Sequence, residues 1–331
     1  MKSRKPLTLS IAMATFNGSR YVREQLESFM AQTRLPDEVV VSDDNSTDDT
    51  FEIIKAFAAE APFAVRLSQN QRNLGYTSNF NRALIKTSGN LVFLSDQDDV
   101  WFPEKLAVIE SYAQQSPTTL VFMNDAALTD QYLNETGLTK RGQIISAGMS
   151  DSDFVMGCCL CVRRELLDAC LPIPTQFKGH DSWIVKMAEG VHRKVVVPDV
   201  LQWYRRHETN TSQFIANKTT KVTRGMALKR SFINAVGKSH KQKQLQVAFD
   251  QAKCFLEGVQ NASRCTKQPL ASALSDYSET LEKEQAAIKQ RLLLLKKTRL
   301  TRLPDILRLW RTGGYARFHG ARSAVRDMFF R

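Results

Sequence analysis

Three things are missing from this sequence, and each removes a class of protein. No apolar run approaches the roughly 18 residues of a membrane span, so no segment is expected to cross a bilayer. No Gly-x-Gly-x-x-Gly follows the first strand-like segment, and no Gly-x-x-x-x-Gly-Lys-Ser/Thr occurs anywhere. Neither a dinucleotide cofactor nor an ordinary phosphate loop is therefore expected. Cysteine is scarce, at 6 of 331 residues, and no second Cys pair exists to complete a zinc site. Cys158 and Cys161 form a Cys-x-x-Cys inside an apolar run, which reads as buried strand cysteines in a reduced compartment. What remains, 43% hydrophobic and 24% charged, is the composition of an ordinary globular protein long enough for two domains.

Charge is present but unevenly spread. Residues 1–211 hold 22 Lys and Arg against 26 Asp and Glu, whereas residues 212–331 hold 24 against 8. The basic stretch Met1–Pro6 runs into a strand-like segment, not a signal peptide, so a cytoplasmic location is expected.

The acidic part centres on Leu91-Val92-Phe93-Leu94-Ser95-Asp96-Gln97-Asp98-Asp99-Val100-Trp101. A buried strand ends there in three carboxylates within four positions. Crowded carboxylates repel, and a hard divalent cation such as Mg²⁺ or Mn²⁺ relieves that repulsion. The alternative is a solvated acidic turn. Upstream, strands at Leu7–Ala14, Val39–Val41 and Ala64–Leu67 alternate with helices carrying Val22, Leu26 and Phe29, then Phe51 and Ile54, then Phe80 and Leu84. Such βαβ units predict a mostly parallel sheet covered on both faces, with ligands beyond the carboxyl ends of the strands. Ala14–Asn17, Asp43-Asp44 and Asp96–Asp99 all fall at such ends. Beyond residue 115 the pattern loosens. Strands are expected at Thr119–Met123, Val155–Val162, Lys194–Val197 and Leu201–Arg206, with a long loop or small irregular region over 125–150 and a helix opening at His180-Asp181.

Ala-Thr-Phe-Asn-Gly (14–18), Asp-Asp-Asn-Ser-Thr-Asp-Asp-Thr (43–50), Asn-Leu-Gly (73–75), Ser-Asp-Gln-Asp-Asp-Val-Trp (95–101), His180-Asp181 and Tyr-Arg-Arg-His-x-x-Asn (204–210) occur in that order. Together they resemble family 2 glycosyltransferases of the GT-A fold, in particular bacterial rhamnosyltransferase-like members, over residues 7–212. The resemblance implies a Rossmann-like catalytic domain, 1–212, with a donor half at about 7–115 and an acceptor half at about 116–212. It implies an inverting, metal-dependent transfer from a dTDP- or UDP-linked sugar, rhamnose being one candidate, to a glycan or lipid-linked acceptor in cell-surface polysaccharide synthesis. By the same resemblance Ala14, Thr15, Phe16, Asp43, Asp44, Asn73 and Asp96 contact the nucleotide sugar, Asp98 and His207 hold the metal, and Asp181 is the general base. His180 stands where relatives commonly carry Glu, which leaves the acceptor contacts open. Trp101, His180 and Trp183 are candidates on the acceptor side, though Trp serves equally as core packing. A nucleotidyltransferase needs a basic, glycine-rich loop after the first strand, which residues 14–18 do not supply. A non-catalytic nucleotide-sugar-binding protein would be expected to lose part of the acidic set.

Residues 213–331 read as a basic helical region, with helices over 222–258 and 277–297. Leu303, Ile306, Leu307 and Trp310 form a stripe beside Arg302, Arg308 and Arg311, and Val325, Met328 and Phe329 repeat it between Arg322 and Arg326. This suits either the anionic inner face of the cytoplasmic membrane or a helical lid with a solvated basic face. Nucleic acid is not an expected partner, because no recognisable binding motif accompanies the charge.

Overall fold

In a computed structural model, described here for residues 6–208, 210, 212, 214–229, 241–298, 301–315, 318 and 320–329, the chain divides into two compact units at Arg230. The side chains of 241, 242, Arg322, Arg326 and Phe329 lie outside the description.

The first unit is built on β1 (Leu9–Thr15), β2 (Glu38–Asp43), β3 (Ala64–Gln69) and β4 (Leu91–Ser95), which pair in parallel in the order β3-β2-β1-β4. β2 and β4 are buried along their whole length, as continuous apolar runs in a sheet covered on both faces should be. The helices between them are α1 (Val22–Met30), α2 (Thr50–Glu60) and α3 (Tyr76–Ile85). Val22, Leu26 and Phe29 repeat at helical spacing and are fully buried, and they meet Leu9, Ile11, Phe93 and Trp101 in the main core.

Past β4 the sheet turns mixed. β5 (Val100–Trp101) and α4 (Lys105–Gln115) lead into β6 (Val121–Thr129), β7 (Glu135–Thr139), α5 (Lys140–Ser146), β8 (Leu160–Arg163), α6 (Arg164–Cys170), α7 (His180–Gly190) and β9 (Lys194–Arg205). β8 is antiparallel to both β4 and β6, while β9 runs parallel to β6 and antiparallel to β5.

Two expectations need correction. The 125–150 stretch is not a long loop, because β6 continues to Thr129, turns into β7 and is followed by α5. Likewise, Lys194–Val197 and Leu201–Arg206 belong to one strand, whose register against β6 slips between Met123 and Asp125 and again before Ala127. Pro198 lacks the N–H that a continuous ladder requires, and the bulge absorbs it.

Residues 214–229 pack with the first unit: Ile215 and Val222 are buried against Ala147. The second unit contains α8 (Lys241–Cys265), α9 (Leu270–Leu295), α10 (Leu303–Arg311) and α11 (Ala321–Phe329). Part of the helix expected over 222–258 lies outside the described residues. In this unit Arg291 pairs with Asp327 through two bonds of 2.7 and 2.9 Å. Buried Arg302 donates to the carbonyls of Lys297, Leu295 and Asp327.

Candidate active site at the carboxyl edge of the sheet

Strand register sets three loops at one level. Thr15 lies beside Asp43, and Met13 beside Ser95. Consequently the loops after β1, β2 and β4 leave the sheet together. The first two are tied by hydrogen bonds. Thr47 N donates to Asn17 Oδ1 at 2.8 Å, and Gly18 N donates to Thr50 Oγ1 at 2.7 Å. The third loop clamps the first: Gln97 Oε1 accepts from Phe16 N at 2.8 Å, and Gln97 Nε2 donates to Phe16 O at 3.0 Å. A Cβ at position 18 would stand 2.3 Å from Gln97 Cδ, so the clamp requires Gly18. Above it the Phe16 ring stays 44% exposed, an aromatic face on a fixed backbone. Ala14 and Thr15 run beneath, with Thr15 buried.

Asp43 and Asp44 differ in what they have left to offer. Asp43 is fully buried and accepts from Thr15 Oγ1, Ser46 N, Ser46 Oγ and Gln69 Nε2 at 2.6–3.0 Å. Its roughly four acceptor positions are used, so it shapes the loop and does not present itself to a nucleotide, contrary to expectation. Asp44 accepts three bonds, from Asn70 Nδ2, Leu74 N and Gly75 N, and keeps acceptor capacity. Asn73 is exposed on the same loop, its Oδ1 accepting from Gly75 N at 3.0 Å.

Asp96, Asp98 and Asp99 crowd the third loop. Burial first, then the Asp98 and Asp99 charges, push the Asp96 carboxyl well above the usual range. Asp99, fully buried, is raised to about 7 by burial and by Asp98. It accepts from Gln202 Nε2 at 3.1 Å and Arg205 N at 3.2 Å. Beneath it the buried Lys105 ammonium donates to Gln202 Oε1 and to Cys158 O. Asp98 faces the other way. Its Oδ2 lies 2.8 Å from His207 Nε2 and 3.1 Å from Asn210 Nδ2. The Tyr21 ring, 4.9 Å between centroids, backs the imidazole, and Arg205 Nε fixes the turn through Asp98 O at 2.8 Å.

A carboxylate oxygen and an imidazole nitrogen held 2.8 Å apart form a donor set whose chemistry would suit a divalent cation. Asp96, Asp99 and Cys158 also approach one another, within 4.8 Å. Asp99 is already committed to Gln202 and Arg205, however, and burial holds the Cys158 thiol protonated, a poor partner for a hard ion.

The long interval from residue 101 to 181 returns the chain to this crevice. Asp181 is partly exposed at the start of α7, and its charge is among those acting on Asp96. The helix cap is Gly179 (φ 92°), and the Asp181 carboxylate accepts only from Ser182 N, at 2.7 Å, among the described residues. Capping therefore does not account for it. His180 is buried and stacked on Phe80 at 3.9 Å, with neither ring nitrogen partnered. Burial lowers its pKa and keeps it neutral.

Trp101 and Trp183 do not face the crevice. Each is 2% exposed: Trp101 packs on Phe29 and under Lys105, and Trp183 packs on Phe177 and donates to Cys170 O at 2.9 Å. The acceptor role suggested for them gives way to core packing. Trp101→Ala is expected to destabilise the fold by about 3–5 kcal/mol, seen as a lower Tm. A near-parental Tm would contradict that placement.

Three contributors were not singled out from sequence: Asn210 on Asp98, Gln97 on Phe16, and the Lys105–Gln202 support under Asp99. Asn210 and Gln97 lie within the motifs at 204–210 and 95–101, whereas the buried pair has no local signal. A cavity of about 700 Å³ also borders His207, lined by Tyr132, Arg206, Phe214, Asn217 and Lys218 among others.

A parallel first half, a mixed second half and carboxylates at the switch between them are the arrangement of the GT-A fold. Residues 1–349 of S. aureus TarS, in complex with UDP, share this fold over 84% of the present chain and 90% of that fragment, at a TM-score of 0.54 and 18% identity. Residues 10–170 match the family model Glycosyl transferase family 2, so the chain carries a family 2 glycosyltransferase domain. A glycosyltransferase of Nostoc sp., itself uncharacterised, is 25% identical over 242 residues, covering 69% of this chain and 75% of that protein. The dTDP-rhamnosyl transferase RfbG of Shigella flexneri is 34% identical over 99 residues, covering 28% of this chain and 34% of RfbG.

Proposed function

We propose that this glycosyltransferase moves a sugar from a dTDP- or UDP-linked donor to a hydroxyl of a glycan or lipid-linked acceptor, in one inverting displacement, at the cytoplasmic face of the membrane. The observation that carries this reading is the convergence on one crevice of Asp96, the Asp98–His207 pair and Asp181. The Phe16 ring, Ala14 and Thr15, the free capacity of Asp44, Asn73 and Asp96 take the nucleotide and its ribose. Asp98 and His207 are the residues that would hold Mg²⁺ or Mn²⁺, which would supply positive charge beside a departing diphosphate. Asp181 removes the proton of the acceptor hydroxyl as its oxygen attacks the anomeric carbon. The bond from that carbon to the diphosphate oxygen breaks on the opposite face, and the nucleoside diphosphate leaves. The cavity beside His207, with Tyr132 and Phe214 as apolar walls, suits the acceptor.

Rhamnose is the leading donor sugar, supported by the likeness to RfbG. A nucleotidyltransferase is disfavoured because the loop after β1 is clamped by Gln97 and carries no basic residue at positions 14–18. The test is a panel of dTDP-, UDP- and GDP-sugars assayed for binding and slow hydrolysis. One or a few nucleoside diphosphate sugars should bind and release the diphosphate. Binding without turnover would favour a non-catalytic module, and preference for nucleoside triphosphates would favour nucleotidyl transfer.

A further inference from the structure

The second unit carries an apolar face for which the site above has no use. α10 buries Ile306 and Leu309 in a cluster with Leu294 and Tyr315. The rest of its apolar stripe points outward: Leu303, Leu307 and Trp310 are 47, 49 and 50% exposed. They fall at i, i+4 and i+7, one line along the helix. Ile306, expected in the same stripe, lies on the adjoining, core-facing side. Val325 on α11, which packs on α10, is exposed as well.

Charge decides what fits this face. Residues 296–331 hold ten Lys and Arg against two Asp. Both acids are engaged internally, Asp327 with Arg291 and Asp305 with Lys297. Arg302 is also spent on backbone carbonyls. Arg308 and Arg311 are exposed beside the stripe, and neither guanidinium forms an ion pair among the described residues.

We propose that the outer face of α10, with Leu303, Leu307 and Trp310 as the apolar line and Arg308 and Arg311 at its border, docks in the plane of an anionic lipid bilayer. Trp sits well at the boundary between acyl chains and headgroups, and arginine reaches lipid phosphates from there. No described helix is long and apolar enough to cross a membrane, so the contact is interfacial. This deepens the membrane placement of the proposed function by naming the surface that makes it.

The test uses the full chain and sedimentation with vesicles of phosphatidylcholine alone or mixed with phosphatidylglycerol. Binding should require phosphatidylglycerol and weaken as salt rises. Leu307→Ser with Trp310→Ser, and separately Arg308→Gln with Arg311→Gln, should each lower it roughly tenfold or more. These side chains are exposed, so melting curves should stay near the parent's. If the apolar pair disturbs folding, the arginine pair decides alone. Equal binding by variants and parent, or equal binding to neutral vesicles, overturns the proposal. So does loss of self-association in sedimentation velocity without loss of vesicle binding, which would make the face a contact between copies. Donor binding, measured on the same variants, should be unchanged. A parent chain that binds vesicles but no nucleotide sugar would sink the catalytic reading and leave this one standing.

Discussion

Asp181→Asn is expected to lower kcat by roughly 10²–10⁴-fold while donor affinity stays close to that of the parent, the usual span for losing a general base. The amide keeps the shape of the side chain and can still accept from Ser182 N, so α7 should open as before. What it loses is the capacity to take a proton at neutral pH. Because Gly179 and not Asp181 caps the helix, a large loss of stability is not part of the expectation. Stopped-flow turnover beside calorimetric donor binding separates the two effects. A near-parental kcat would remove Asp181 from the role, and a collapse of donor affinity would move it to the donor side.

The second large effect concerns the cation. Chelation with EDTA should abolish transfer, and Mg²⁺ or Mn²⁺ should restore it. Asp98→Ala should cost roughly 10²–10³-fold in kcat/KM, comparable to removing a main electrostatic contributor to a transition state. His207→Ala should follow in the same direction, because its ring meets the same carboxylate oxygen. Asp99→Asn should act differently. That carboxyl is buried on Gln202 and Arg205, so its replacement should show first as lower stability. Full turnover in EDTA would exclude the metal role and leave Asp98 and His207 as a hydrogen-bonded pair.

The parallel half of the sheet was legible because its signals are local. Buried parallel strands are short apolar runs, and β2 and β4 end directly in the acids that define the crevice. The second half was harder for identifiable reasons. β6 has Asn124 and Asp125 in its interior, which imitate a loop. Asp125 Oδ1 in fact accepts from Ala126 N and Arg141 N, so the polarity is spent on the backbone. Pro198 made β9 resemble two strands where the fold uses a bulge. Burial was the other hidden quantity. Trp101 and Trp183 have the chemistry of sugar platforms, and only packing assigns them to the core. The Asp43–Asp44 pair reads as one motif, yet hydrogen bonding saturates the first and leaves room on the second. The meeting of Asp98 with His207, so distant in sequence, came from the family resemblance and not from periodicity or spacing.

Inversion at the anomeric carbon is the most exposed consequence of the proposed function. One carboxylate base acting opposite a departing diphosphate has to invert, whereas a carboxylate nucleophile forming a glycosyl-enzyme intermediate has to retain. Proton NMR of the first-formed product, taken with the donor identified in the nucleotide-sugar panel, reads the anomeric coupling directly. The opposite configuration to that of the donor is the predicted result, and a product that keeps the donor's configuration would contradict it.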